Sequence, residues 1–293
     1  MHKMNITSGE QISYAFKHIN NMNSIFDDFV SNMLNRKEDL INALREKVKL
    51  MIAEGQKDDM IYDVIKSFIN EHQKKEEDRE GIREILKKDR TVSMLPSKFK
   101  PKKYLDFGTG EQMVGEVIAS HYGLDANSAF GVDVIDIKNT KNMSFMKYSG
   151  DVRDKDMLSF LQLDKGKFDL ITSFMVLHHI QNIGPVPEFL FNSMNNGGYL
   201  IIKEHDANNK DIIVAIDIEH TIFDMMVDGE SPKDYHNGNT MIKGHTGDYK
   251  SRKQWDDMFE KVGFKKVNIM TDPTYTRVNS FRTRHYHSIY YKP

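Results

Sequence analysis

The sequence predicts an α/β chain, with an all-α N-terminal arm preceding a mostly parallel sheet. Three observations point to it. Apolar residues in the first 95 or so positions recur at three- and four-residue steps, the period of a helix with one buried face. From Lys102 onward, short apolar runs alternate with helical patterns, as strand–helix units of a parallel sheet do. At their junction, Tyr104 to Gly110 read Tyr-Leu-Asp-Phe-Gly-Thr-Gly, a strand entering a turn whose glycines let the backbone approach a ligand closely.

Composition sets the outer limits. The chain has 293 residues, 39% hydrophobic and 29% charged, with a formal net charge of −2. Those proportions suit a soluble globular protein large enough for one α/β domain and an appended element. No apolar run approaches the roughly 18 residues that read as a membrane span, and no secretory leader pattern follows Met1. Cysteine is absent, which removes disulfides, thiolate zinc sites and cysteine nucleophiles. A reducing, cytoplasmic setting is the expectation.

Along the arm, Met22, Ile25, Phe26, Phe29, Met33, Leu40, Ile41, Leu44, Val48 and Met51 give an amphipathic period over about Asn20–Ala53. After the Glu54-Gly55 break, Met60, Ile61, Val64, Ile65, Phe68 and Ile69 repeat it. Glu71–Arg90 is dense in both charge signs, a solvated helix face. The boundary falls near Pro96, so residues 1–95 read as a helical arm or lid and 96–293 as the sheet domain. Strands are expected at Tyr104–Phe107, Phe130–Val134, Met143–Tyr148, Phe168–Ser173, Tyr199–Glu204, Lys265–Met270 and His285–Tyr291. Helices are expected near Gln112–Tyr122, Lys155–Leu161, Val186–Met194, Ile212–Met226 and Lys253–Val262, with Val227–Asp248 as a covering loop.

The strand ends carry the chemistry. Asp106 opens the Asp-x-Gly-x-Gly turn with Gly108 and Gly110. Asp133 ends the second strand, twenty-three positions after Gly110, where a carboxylate can accept from ribose hydroxyls. Asp151 follows the third strand; there a carboxylate can take an adenine amino proton while Val152 packs on the ring. Phe168 to Phe174 form an apolar strand closing on Val176-Leu177-His178-His179, and Asn196-Gly197-Gly198 feeds a buried strand. A dehydrogenase fits less well, because Asp106 is a poor neighbour for a pyrophosphate but a good one for an ammonium.

This ordered set resembles the class I S-adenosylmethionine-dependent methyltransferases from about Lys102 to the C-terminus. The Phe-Asp-Leu-Ile-Thr-Ser and Val-Leu-His-His phrases, with Gly-Gly-Tyr-Leu-Ile-Ile, resemble the branch holding the ubiquinone-biosynthesis and cap guanine-N7 enzymes. Tyr249 to Trp255, ending in Gly263-Phe264, is similar to that branch's late helix and turn. The resemblance implies a seven-stranded sheet with an antiparallel last strand, and S-adenosylmethionine as cofactor. Asp106, Gly108 and Gly110 would line its methionine end, Asp133 its ribose, Asp151 and Val152 its adenine, with Ser173 and Phe174 under the sulfonium. Gln112 stands where a third glycine is common, and can hydrogen-bond the methionine moiety or tighten the pocket.

For the acceptor, the sequence leaves alternatives. Histidines and carboxylates are the usual proton-moving groups, and His178, Glu204, His205 and His220 are the catalytic candidates. Lys203 and Asp206 flank them as substrate-binding candidates on Lys203-Glu204-His205-Asp206. No spacing here is a metal-binding signature, so no metal is expected. Lys265 to Pro293 hold six Lys or Arg against one acid, Asp272, and Arg282 and Arg284 among aromatics suit phosphate and base contacts. Lys98, Lys100, Lys102 and Lys103 add a basic linker. An RNA or cap acceptor is the leading expectation and a small metabolite the alternative; the Ala-Leu-His-Tyr form of the guanine-N7 enzymes is absent. A third reading is a non-catalytic module that binds nucleic acid or a partner enzyme, with the N-terminal helices as the protein-docking element. No membrane association is expected.

Overall fold

The computed structural model describes residues 11–31, 33–72, 95–110, 113–163, 166–180, 182–227, 249–271 and 285–293. They divide into a helical unit, from 11–72, 207–227 and Tyr249, and a sheet unit holding the rest.

In the helical unit, α1 (Gln11–His18), α2 (Met22–Ser31), α3 (Glu38–Ala53) and α4 (Asp58–His72) precede the sheet in sequence. The single period expected over Asn20–Ala53 is two helices. Asn35 and Arg36 both adopt left-handed backbone, at φ 54° and 59°, which ends one helix and redirects the next. Ile41, Leu44, Val48 and Ile52 make the buried stripe of α3, and Ile61, Ile65 and Ile69 that of α4. They share one apolar cluster with Val214, Ala215, Ile218 and Ile222 of a later helix, Lys210–Val227. That helix lies inside the stretch 96–293, yet its apolar face packs with the N-terminal helices. α1 carried no clear sequence signal. Its start is held by a residue far along the chain: the buried Asp58 carboxylate accepts the Ile12 N–H at 2.7 Å and is bonded to the Ser13 hydroxyl.

The sheet unit holds β1 (Tyr104–Phe107), β2 (Ala129–Asp133), β3 (Ser144–Lys147), β4 (Phe168–Phe174), β5 (Met194–His205), β6 (Lys265–Thr271) and β7 (His285–Tyr291). Their order is β3-β2-β1-β4-β5-β7-β6. β1 to β5 run parallel, and β7 is antiparallel to both β5 and β6. The expected seven strands with a reversed last strand are thus present. β5 starts earlier than expected because its register jumps from Phe168↔Met194 to Leu170↔Tyr199, looping out the Asn195–Gly198 turn. With the preceding helices as α1–α4, the remaining ones are α5 (Met113–Tyr122), α6 (Lys155–Phe160), α7 (Val186–Asn192), α8 (Lys210–Val227) and α9 (Arg252–Lys261).

Every residue of β1 is buried, as expected for a central parallel strand covered on both faces. Leu105 and Phe107 point to a cluster holding Met157 of α6, Leu190 of α7, and Trp255 and Phe259 of α9. Tyr104 points the other way, toward Ile118 and Ala119 of α5. Ser251 starts α9 with a reciprocal capping box to Gln254. No helix among the described residues is long and apolar enough to cross a membrane.

Asp58→Ala is expected to lower stability by about 1–2 kcal/mol, since it removes a cap acceptor. Urea denaturation measures the loss, and faster amide hydrogen exchange at Ile12 and Ser13 locates it.

Candidate active site

Strand order reverses direction at β1, which has β2 on one side and β4 on the other. Neighbouring crossovers leave opposite faces there, so the carboxyl ends of the strands border a crevice. A cavity of about 670 Å³ lies at that point, within the usual size range of small-molecule sites. Gly108 and Gly110 line it after β1, Asp133 and Val134 after β2, and Tyr148 to Val152 after β3. Phe174, Met175 and Val176 line it at the end of β4, followed by His179, Ile180, Asn182, Pro185 and Val186.

The glycine turn is built for close approach. Gly108 has φ +78°, and a Cβ there would stand 2.3 Å from both Val176 γ-carbons. Only glycine lets the β1 turn and the β4 turn meet. Asp133 braces the same loop: one carboxylate oxygen accepts the Gly110 N–H at 2.8 Å and the other the Val134 N–H at 2.6 Å. A carboxylate has about four lone-pair sites, so capacity remains for ligand hydroxyls. Asp151 also lies on the wall, ion-paired with the exposed Arg153 at 2.7 Å. The Arg153 hydrogen bonds hold its carboxyl down at about 2. Burial pushes the Tyr148 phenol up to about 12.

Asp106 has a different place from the one expected. It is 3% exposed and is not on the cavity wall. Thr172 Oγ1 donates to it at 2.6 Å, which leaves the Tyr104 hydroxyl to donate to Thr172, also at 2.6 Å. Gly115 of α5 allows this burial, because a Cβ there would lie 2.6 Å from the Asp106 carboxylate. Burial is the largest influence on its carboxyl and raises it to about 6, against the lowering effect of the Thr172 bond.

The turn after β4 is held from below. Leu177–His179 form a 3₁₀ turn. Glu204, fully buried at the end of β5, accepts the Leu177 N–H at 2.8 Å, and its other oxygen lies 2.6 Å from His178 Nδ1. His178 is 1% exposed. Met175, just before, takes a left-handed φ of 59°, a conformation that a non-glycine residue holds only when its surroundings impose it.

The profile of the methyltransferase-domain family matches residues 76–269. The chain belongs to that family. Its sheet order and antiparallel end are those of the class I, S-adenosylmethionine-dependent methyltransferases. No curated protein matches the chain. Among solved structures, it is similar to a SAM-dependent methyltransferase from Archaeoglobus fulgidus at 14% identity, over 72% of this chain and 94% of that one, with a TM-score of 0.48. The N-methyltransferase NodS of Bradyrhizobium japonicum matches at 13% identity over 73% and 96% of the chains, TM-score 0.42. A Haemonchus contortus phosphoethanolamine N-methyltransferase in complex with S-adenosyl-L-methionine matches at 13% over 69% and 51%, TM-score 0.42.

Of the residues singled out in the methyltransferase's sequence, Gly108, Gly110, Asp133, Asp151, Val152 and Phe174 share the cavity. Ser173 does not: it is wholly buried one residue earlier in β4, its side chain turned the opposite way from Phe174. Glu204 and His178 face each other beneath the wall, and His205 is buried beside them, its ring 5.2 Å from that of His178. Lys203 stays in the ladder opposite His287. Asp206 accepts the Arg252 N–H at 2.9 Å and so anchors the start of α9. His220 belongs to the helical unit, where its Nδ1 lies 2.8 Å from the Tyr249 hydroxyl and the rings stack. Gln112, Arg282 and Arg284, like the 73–90 part of the charged helix and the 228–248 cover, lie outside the described residues. Sequence reasoning missed Tyr148, Met175, Val176 and Asn182. Of the adjacent pair His178 and His179, it is His179 that lies on the wall.

Asp106 generates a pH prediction. An acid harder to ionise in the folded chain than in the unfolded one opposes folding once the pH exceeds its unfolded value. Stability should therefore fall as pH rises from about 4 to about 6, by up to about 3 kcal/mol. Asp106→Asn is expected to flatten that window, and urea titrations at pH 4.5 and 7.5 on both proteins check it.

Proposed function

We propose that this methyltransferase binds S-adenosylmethionine in the cavity at the strand ends and methylates a small acceptor molecule. The observation that carries the reading is the lining itself: a glycine turn, two carboxylates at successive strand tips, and apolar Val134, Tyr148 and Val152 beside them. Those groups fit a nucleoside whose ribose needs acceptors and whose base needs flat apolar contact. Asp133 would hold the ribose hydroxyls, and Asp151 with Val152 the adenine edge and face. Gly108 and Gly110, both on the wall, would face the methionine half. Asp106 would act from behind the turn, as a buried charge favouring a nearby ammonium.

When bound, the cofactor supplies an electrophilic methyl group on a sulfonium. The chain then has to orient the acceptor and keep water out, and orientation alone is worth up to about 7–11 kcal/mol. Phe174, Met175, Ile180, Pro185 and Val186 supply an apolar wall for this, with His179 and Asn182 as its polar groups.

Size and charge favour a small acceptor over RNA. Among the described lining residues there is no Lys or Arg, while Asp133 and Asp151 are both present; a polyanion would meet carboxylates. The basic linker lies elsewhere. Lys102 and Lys103 precede β1, at the amino edge of the sheet, whereas the cavity lies at the carboxyl edge. The Lys103 ammonium is already spent on the carbonyls of Leu161 and Gly166, at 2.9 and 2.7 Å.

Isothermal titration with S-adenosylmethionine and S-adenosylhomocysteine tests the cofactor. Binding in roughly the micromolar range is expected, and Asp133→Ala should weaken it about 10- to 100-fold, the worth of hydrogen bonds to a charged group. Absence of heat with either ligand would return the chain to a non-catalytic binding module. The acceptor is tested by labelled-methyl transfer to metabolite and RNA fractions of a cell extract. Label in the low-mass fraction is expected. Label in RNA, with capped-oligonucleotide affinity falling steeply with salt, would overturn the small-acceptor reading.

A further inference from the structure

Among the described residues, five other than glycine adopt left-handed backbone: Asn21, Asn35, Arg36, Gln162 and Met175. Of these, Met175 is the one that lines the cavity. Asparagine tolerates such backbone because its short polar side chain bonds locally. Methionine has no group to do so, and its Cβ crowds the following carbonyl. Glycine would adopt the same backbone without that clash, as Gly108 and Gly110 do after β1 at φ +78° and +50°.

The backbone at Met175 is fixed by groups other than its side chain. Its N–H donates to the Lys203 carbonyl at 2.7 Å, and Glu204 holds Leu177 and His178 just beyond it. Nor does the side chain fill the core. Met175 is half-buried and belongs to none of the apolar clusters among the described residues. By contrast Tyr148, Val152, Phe174, Ile180 and Val186, on the same wall, each pack into one. A residue that strains its backbone and adds nothing to the core is retained for what its side chain meets. Here that is the content of the cavity. The groups assigned to the nucleoside follow β1, β2 and β3, whereas Met175 follows β4, in the stretch that also supplies Ile180, Pro185 and Val186. Its place is therefore that of the acceptor.

We propose that Met175 is a specificity-determining residue of the acceptor site, its thioether side chain packing on an apolar body that adjoins the methylated atom. The acceptor class that follows is a small molecule bearing a ring or a branched apolar group. Methionine is unbranched and polarisable, so it moulds to such surfaces, aromatic ones in particular. The inference rests on reading this cavity as a methyl-transfer site.

Three variants of the full chain test it. Met175→Ala removes the side chain and keeps the backbone restraint. Its urea midpoint should stay within about 0.5 M of wild type, and its affinity for S-adenosylhomocysteine within about twofold. A dilution series of the low-mass extract fraction, with labelled S-adenosylmethionine, gives an apparent KM and a maximum rate. For Met175→Ala the apparent KM should rise about 10-fold or more, the worth of burying a methionine side chain. The maximum rate should change less than about threefold, since contact away from the reacting atoms is felt alike before and during transfer. Met175→Leu, of similar volume, should recover most of the loss. Met175→Gly relieves the backbone, so its urea midpoint should equal or exceed that of wild type while the apparent KM stays raised. The wild-type labelled product should be retained on a reversed-phase column. An unmoved KM in the Ala and Gly variants would overturn the role of Met175. So would a midpoint or an affinity of Met175→Ala outside those limits, which would assign the side chain to the core or to the cofactor. A product that passes the column unretained would overturn the acceptor class. If the wild-type chain binds no S-adenosylhomocysteine, or puts no label into the low-mass fraction, the methyl-transfer reading itself fails; binding and labelling with unmoved variants sink only Met175.

Discussion

The carboxylate of Glu204 is the constraint on which the cavity depends. It is buried at the end of β5 and spends both oxygens on the turn that follows β4. A buried charge is costly unless paired and hydrogen-bonded, so the turn has one low-energy arrangement, the one that satisfies it. That arrangement brings Val176 against Gly108 and puts Phe174, Met175 and His179 along one side of the cavity. The left-handed backbone at Met175 follows from the same requirement. A strained residue persists where its surroundings over-determine it, and here β5 does so from below.

A second buried acid plays the matching part on the other side of the turn. Asp106 lies behind the glycine turn, with Thr172 donating to it and Gly115 giving it room. The chain Tyr104 to Thr172 to Asp106 links β1 and β4, the two strands at the reversal of sheet order. Both flanks of the crevice therefore rest on carboxylates with little contact with water. The acids at the surface, Asp133 and Asp151, are the ones left to meet a ligand. Burial divides four acids of similar sequence context into two that hold the site and two that line it.

Much of the fold was legible because its signals are local. The seven strands follow from short apolar runs, and the parallel pairing of β1, β2, β4 and β5 from the helices between them. Gly108, Gly110, Asp133, Asp151 and Val152 were legible as wall residues, since the end of a parallel strand at such a junction faces the crevice. Residues set by partners far along the chain were not legible. Ser173 and Phe174 are neighbours on opposite faces of β4, and the face that meets the cavity depends on what packs behind it. The split of the long helical period at Asn35 and Arg36 left no mark on its spacing, because both helices present apolar residues at the same steps. Asp206 reads as a site residue until Arg252, forty-six positions later, is found to donate to it.

By itself the sequence determined the order of elements, the glycine turn and the acids that follow each strand, because period, turn chemistry and strand length are properties of adjacent residues. The tertiary structure alone decided which of those polar groups meet the cavity. His178 and His179 are adjacent and identical, yet one is sealed against Glu204 and the other stands on the wall. That choice rests on a carboxylate twenty-six residues away from His178. A long-range pairing that costs free energy if left unmade is not encoded in any local pattern.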